Sequence, residues 1–338
     1  MTDFFALTPE DQVRRLRAAA EDALHRWNIS DATLDLIKHR ENAVFRVTTG
    51  GRRAALRLHR HGYHSDDELR SELQWMSALQ EADIHVPEII PAANGEPFVT
   101  CSADGLPGEL QVDLFEWIEG EQLGSVEQGV ADASAVEHTF GSLGELAARV
   151  HNQAVSWQLP EGFARHAWDA EGLAGERPFW GRFWDIGKGN DAERGLLRRA
   201  RGCIYDELTA LPKSPGSYSM IHADFAAENI MVDGRDLRLI DFDDAGFGWH
   251  LFELVTALFF IQGESYFDRA QEALIAGYRQ RRQLTDETLE LLPLFFLARG
   301  TTYLGWVHTR AETETAIELT PMILELVCEL ADNYLSSK

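Results

Sequence analysis

The segment IHADFAAENIMVDGRDLRLIDFDD, residues 221 to 244, gathers His222, Asp224, Asn229, Asp241, Asp243 and Asp244 around two short β-like runs. Those runs, IMV and LRLI, flank Asp233-Gly234, a strong signal for a tight hairpin. Antiparallel strands lie about 4.8 Å apart, so the hairpin brings Asn229, before its first strand, beside Asp241, after its second. An amide oxygen and a carboxylate suit Mg²⁺, which takes one or two carboxylates and completes its shell with water and phosphate oxygens. Asp224 stands on the loop entering the hairpin, within reach of a substrate hydroxyl beside such a metal. Together the types and spacing predict phosphoryl transfer. Singly, each residue has a plainer reading, Asp224 and Asn229 as turn caps, His222 as a hydrogen-bonded core residue, the remaining aspartates as solvated loop charges. The joint pattern, HxDxxxxN then a hairpin then Asp, favours the catalytic reading.

These residues need elements to hold them. Thr8, Pro9 and Asp11 mark the start of a helix in which Val13, Leu16, Ala20, Leu24 and Trp27 recur at helical spacing, ending near Asn28. Three β-like runs follow, TLDLIK (33 to 38), AVFRVTT (43 to 49) and RAALRLH (53 to 59), the last two joined by Gly50-Gly51. Ser65 and Glu68 cap a second helix, DDELRSELQWMSALQEA. VPEIIPA, PFVT and ELQVDLFEWI read as further strands and EGEQLG as a turn. Beyond it the pattern is mostly helical, over 136 to 156, 250 to 262, 287 to 304 and 315 to 335, interrupted only by the hairpin. This order predicts an α+β fold of two lobes, residues 1 to 116 with a small antiparallel sheet and residues 117 to 338 mainly helical.

Composition narrows the function. The 338 residues are 45% hydrophobic, enough for a substantial core in about two domains. Asp and Glu number 55 against 31 Lys and Arg, a formal charge of -24 with no basic block, which argues against a nucleic-acid partner. Lys38, Lys188, Lys213 and Lys338 are the only lysines, so lysine-dependent chemistry has few candidates. Cys101, Cys203 and Cys328 are odd in number and far apart, as expected of thiols in a reducing cytoplasm. The N-terminus MTDFFALTPEDQ has no basic region before an apolar stretch, and LFELVTALFFI is too short for a membrane span and contains Glu253. A cytoplasmic protein without a membrane partner is expected, and nothing in the pattern specifies an oligomeric state.

HADFAAEN with LIDFDDAGFG resembles the signature of the aminoglycoside phosphotransferase and choline kinase superfamily, relatives of the protein kinases that phosphorylate small-molecule alcohols. The resemblance covers most of the chain and implies a bilobal protein-kinase-like fold using ATP and Mg²⁺. It implies that Asp224 accepts or orients the proton of the attacking alcohol, that Asn229 and Asp241 hold Mg²⁺ against the ATP phosphates, and that His222 holds the loop. FEWIEGEQL resembles the interlobe hinge, so the backbone of Glu116, Trp117 and Ile118 is expected at the adenine. Where the superfamily carries a lysine on the third strand, AALRLHR places Arg57, and Glu72 follows in RSELQW. Arg57, oriented by Glu72, is the expected phosphate contact, with Lys38 the alternative. KHRENAVFRV lacks GxGxxG but is similar to the ENxVFRV loop of the small-molecule branch, so Asn42 is expected to cover the phosphates. Glu253, in GWHLFELV, stands where relatives usually carry an aspartate, and a carboxylate favoured by a helix start explains it equally well.

The acceptor is written less clearly. Trp168, Phe179, Trp180, Phe183 and Trp184 crowd one stretch, where packing is favoured over a cation–π box for an amine. His151 follows an apolar helical face and reads as core. The expected function is ATP- and Mg-dependent phosphoryl transfer to a hydroxyl of a small molecule, an amino alcohol, sugar or aminoglycoside-like compound. A protein serine/threonine kinase and a nucleotide-binding regulatory module without turnover are the alternatives. The last has no chemical need for Asp224, Asn229 and Asp241 together.

Overall fold

The first 120 residues build a five-stranded antiparallel sheet flanked by helices. The computed structural model describes residues 4–39, 42–125, 129–130, 136–234, 236–311 and 313–338. Helix α1 (Pro9–Leu24) starts where Thr8 accepts the Asp11 amide, and strands β1 (Thr33–His39), β2 (Ala43–Thr49) and β3 (Arg52–Leu58) follow. Helix α2 (Asp66–Glu81) has the capping box expected of Ser65 and Glu68, and β4 (Phe98–Cys101) and β5 (Leu110–Glu116) complete the sheet in the order β1-β2-β3-β5-β4. Phe45, Val47, Leu56, Leu58, Val112 and Leu114 are buried in one core with Leu16, Ala20 and Leu24 of α1. Successive strand residues point to opposite faces. Arg57 and Asp113, which pair across β3 and β5, therefore emerge on the other face of the sheet.

VPEIIPA does not become a strand. Ile90 donates to Leu114 O and Glu116 to Glu88 O, both at 2.8 Å, so the segment runs beside β5. Only an isolated bridge, Ile89 to Phe115, forms. Pro87 and Pro91 each remove a ladder donor, which keeps the pairing from extending.

By contacts the chain divides into two units. One contains residues up to Gly120 with Leu159–Ala164 and Arg238–Ile240; the other contains Glu121–Gln158, Arg165–Leu237 and Asp241–Lys338. The second unit begins with the short strands β6 (Glu121–Gln122), β7 (Gly124–Ser125) and β8 (Gly129–Val130). After them come α3 (Val136–Ser156), β9 (Ala167–Trp168), α4 (Ala170–Ala174) and α5 (Asp191–Ala210). Strand β10 (Tyr218–Ile221) leads to the hairpin strands β11 (Ile230–Asp233) and β12 (Asp236–Leu239), then to β13 (Gly246–Trp249). Helices α6 (His250–Leu258), α7 (Phe267–Arg279), α8 (Asp286–Leu289), α9 (Leu292–Thr309) and α10 (Glu314–Ser336) close it.

The helical region is thus interrupted by more than the hairpin. β10 pairs antiparallel with β13, which pairs parallel with β9. These strands have four, four and two residues, too short for an alternating signal, and Gly246 and Gly248 dilute it further. Gly246 is required by a close approach, since a Cβ there would lie 2.7 Å from the His166 carbonyl oxygen. Among the described residues, no helix is long and apolar enough to cross a membrane.

Candidate active site

Strand β10 ends at Ile221 and releases the chain into His222, Ala223 and Asp224. Ala223 has φ 64, left-handed backbone that costs a residue with a Cβ about 1 kcal/mol or more. Glu253 on α6 holds it there: Oε1 accepts the His222 amide and Oε2 the Ala223 amide, each at 2.8 Å. The side chain is fully buried, so the helix-start explanation gives way to a specific tie between α6 and this loop. Burial pushes the Glu253 carboxyl up, opposed by His222, the two amides and Arg299. His222 is also fully buried, and its Nδ1 accepts from the Asp224 amide at 3.3 Å, the architectural part expected of it. Glu253→Gln turns an amide donor toward one of the two backbone N–H groups. Stability is expected to fall by about 1–3 kcal/mol in chemical denaturation, with kcat lowered about tenfold.

Asp224 is held from two sides. Asn229 Nδ2 donates to Asp224 Oδ2 at 2.6 Å and to its carbonyl at 3.0 Å. Arg299 Nη2 donates to Asp224 Oδ1 at 2.9 Å, and its Nη1 to the Ala223 carbonyl at 3.0 Å. The Asp224 side chain keeps 20% exposure, while that of Arg299 has none. Burial alone pushes the Arg299 pKa down, but Tyr303 and Asp224 outweigh it and the net shift is upward. Tyr303 accepts from Arg299 Nη2 at 2.8 Å, and the guanidinium lies 5.2 Å from the Trp180 ring centroid. The sequence reading missed Arg299. Its signal is a charge inside LPLFFLARGTTYLGW, because a cation buried in an apolar helix requires a partner.

Asn229, only 1% exposed, stands just before β11, and Asp241 stands two positions after β12. Asp241 has φ 66, a conformation uncommon outside glycine and met at functional sites. With Nδ2 engaged by Asp224, Asn229 has its side-chain oxygen as the remaining metal donor. Amide and carboxylate oxygens fit a hard cation such as Mg²⁺.

The unassigned aspartates belong to a pinned segment. Arg165 donates to the Asp243 carbonyl at 2.6 Å and the Ala245 carbonyl at 2.5 Å. Trp168 Nε1 donates to the Asp244 carbonyl at 2.8 Å, and Trp180 Nε1 to Asp244 Oδ1 at 3.1 Å. Trp168, Trp180, Phe183 and Trp184 are buried, so this aromatic stretch is packing that also fixes Asp244.

In the N-terminal unit Arg57 and Glu72 meet as expected, Nη2 to Oε1 at 2.8 Å. A residue the sequence reading missed dominates the group. Asp113 on β5 takes Arg57 Nε at 3.1 Å and Nη2 at 2.7 Å, and lies 3.0 Å from His59 Nε2. All four side chains are buried. Burial pushes the Asp113 carboxyl up, but Arg57 and His59 prevail and hold it below the ordinary aspartate range. A carboxyl lower in the folded than in the unfolded chain stabilises above the unfolded value and loses that contribution as pH falls through the folded one. The N-terminal unit is expected to weaken below about pH 4, checked by urea midpoints across the acid range. Arg57→Ala removes the guanidinium that two buried carboxylates share and is expected to cost about 3–5 kcal/mol in the same measurement.

The remaining expected residues are placed as follows. Asn42 is buried with Oδ1 accepting the Arg60 amide at 3.0 Å, which ties β2 to the exit of β3. Arg40 and Glu41 of the same loop lie outside the described residues. Lys38 sits on β1 opposite Val44. Glu116 ends β5, and the Trp117 ring has Arg46 and Arg53 each 5.9 Å from its centroid. Ile118 is half-buried beyond it.

Known proteins share sequence and fold with this chain. A family model described as the phosphotransferase enzyme family matches residues 33–291. The structure of the microcompartment-associated aminopropanol kinase is 32% identical with a TM-score of 0.83, covering 95% of this chain and 98% of that one. Amicoumacin kinase hAmiN, solved with AMP-PNP, Ca²⁺ and Ami, is 18% identical with a TM-score of 0.73, covering 96% and 94%. Amicoumacin kinase of Bacillus subtilis (strain 168) is 22% identical over 304 residues, 87% of this chain and 85% of that protein.

Proposed function

Because this chain belongs to the phosphotransferase enzyme family and is a kinase, we propose that it moves the γ-phosphate of ATP to the hydroxyl of a small amino alcohol. The observation that carries this reading is the Asp224 carboxylate, fixed by Arg299 on one oxygen and Asn229 on the other, yet partly exposed. A carboxylate offers about four acceptor positions, so two remain in principle for an incoming hydroxyl. Asp224 then orients that hydroxyl and takes its proton as the hydroxyl oxygen bonds to the γ-phosphorus and the bond from that phosphorus to the β-phosphate oxygen breaks, releasing ADP. Held from both sides, it cannot swing away, and this restriction supplies much of the advantage of a positioned base.

Asn229 and Asp241 are assigned to Mg²⁺, which when bound supplies charge neutralisation on the phosphate oxygens. Arg57, oriented by Glu72 and Asp113, is assigned to the ATP phosphates together with Asn42, and the backbone of Glu116 to Ile118 to adenine. The amino-alcohol assignment rests on the 32% identical aminopropanol kinase and on Asp244, whose carboxylate, steadied by Trp180, suits an ammonium group.

The test is an acceptor screen with labelled ATP and Mg²⁺ over amino alcohols, sugars, aminoglycosides and peptides, with Asp224→Asn as the blank. Transfer to an amino alcohol above the blank is expected. Label on peptide alone, or nucleotide binding without transfer to any acceptor, would overturn the reading in favour of a protein kinase or a silent module.

A further inference from the structure

The C-terminal unit contains a cavity of about 640 Å³ whose lining includes none of the residues assigned to catalysis. It opens where the connector between α5 and β10 faces the end of α7 and the start of α9. Its size is that of a small-molecule site. Its lining contains two arginines, Arg281 and Arg282, and no carboxylate, in a chain with 55 acidic residues against 31 basic ones. Arg281 is paired with Glu145 at 2.6 Å. Arg282 is different: Nη1 donates to Asn152 Oδ1 at 2.7 Å and Nη2 to the Pro215 carbonyl, both neutral acceptors. Among the described residues it has no carboxylate partner.

A second observation points to a ligand that accepts hydrogen bonds. Trp249 Nε1 and Arg282 Nε, both on lining residues, are buried without an acceptor among the described residues. Each is a donor and nothing else, and an unmet buried donor is costly enough that native proteins carry few. Both atoms are sealed from bulk water, so bulk solvent does not supply the missing acceptor. Phe295, Leu284 and Leu291 give the same cavity an apolar wall. Burial keeps His250, which also lines the cavity, neutral by pushing its pKa down, so the positive charge there is that of arginine.

We propose that this cavity binds a small organic oxyanion, its carboxylate or phosphate on Arg282 and Trp249 and its apolar body against Phe295. The test follows the Trp249 indole N–H by ¹H–¹⁵N NMR on the full chain, assigned with Trp249→Phe, with saturating Mg·ATP to occupy the nucleotide site. Phenylacetate and phenyl phosphate are the probes, and neutral phenylacetamide is the control. At millimolar concentration at least one anion is expected to move that signal along a saturating curve, and the tighter of the two identifies the headgroup. Arg282→Gln is expected to weaken binding about tenfold, the loss of a charge-assisted hydrogen bond. Ser214→Trp, on the exposed rim, fills the mouth and abolishes the response, which keeps the test available if Arg282→Gln does not fold. No saturable shift with either anion, an equal response to phenylacetamide, or unchanged affinity in both variants would overturn the proposal.

Discussion

Asp224→Asn is expected to lower kcat by about three orders of magnitude while leaving the KM for ATP within a few-fold of wild type. The substitution is nearly isosteric. Its side-chain oxygen still accepts from Arg299, as Asp224 Oδ1 does at 2.9 Å, but its amide nitrogen faces the Asn229 Nδ2 that now lies 2.6 Å from Oδ2. Two donors then confront each other, and the acceptor hydroxyl loses the carboxylate that receives its proton. Neutralisation also removes the carboxylate charge that lies 2.9 Å from the buried Arg299 guanidinium. Stability should therefore fall by about 1.5–3 kcal/mol, the range for hydrogen bonds to charged groups. Steady-state kinetics with a titration of nucleotide binding separates the two effects. A kcat within tenfold of wild type would remove Asp224 from the chemical step.

Arg299→Met is the second large effect, and it acts through Asp224. The guanidinium makes three polar contacts, to Asp224 Oδ1, the Ala223 carbonyl and the Tyr303 hydroxyl, and removing it unties all three. Methionine fills comparable volume among Trp180, Phe252 and Tyr303, so the loss is of charge and orientation more than of packing. Breaking one side of a buried ion pair costs about 3–5 kcal/mol, and a loosened base costs about a hundredfold in rate. We expect kcat to fall by that factor with the KM for ATP unchanged, because Arg299 positions Asp224 and holds no part of the proposed nucleotide contacts. A folded Arg299→Met protein with wild-type kcat would reduce Arg299 to a stability residue.

The local parts of this molecule were legible because their causes are local. The Ser65–Glu68 capping box, the Gly50-Gly51 connection and the helix over residues 136 to 156 are set by neighbours a few positions apart, and the structure has all three. The missed strands show the limit. β9, β10 and β13 exist only because they find one another, since none is long enough to carry a period of its own. VPEIIPA erred in the opposite direction, its apolar content outweighing two prolines that remove ladder donors.

The same division runs through the candidate site. Sequence alone determined the reaction class and the grouping of Asp224 with Asn229 through motif spacing, and the pairing of Arg57 with Glu72 through the resemblance to the superfamily. Tertiary structure alone decided who holds these groups. Asp113 faces Arg57 through strand register, Glu253 reaches back across 30 residues to the Ala223 amide, and Arg299 reaches Asp224 across 75. Each is a charge whose burial is tolerable only against a particular distant partner, and a charge carries no mark in the sequence of which partner the fold will bring to it.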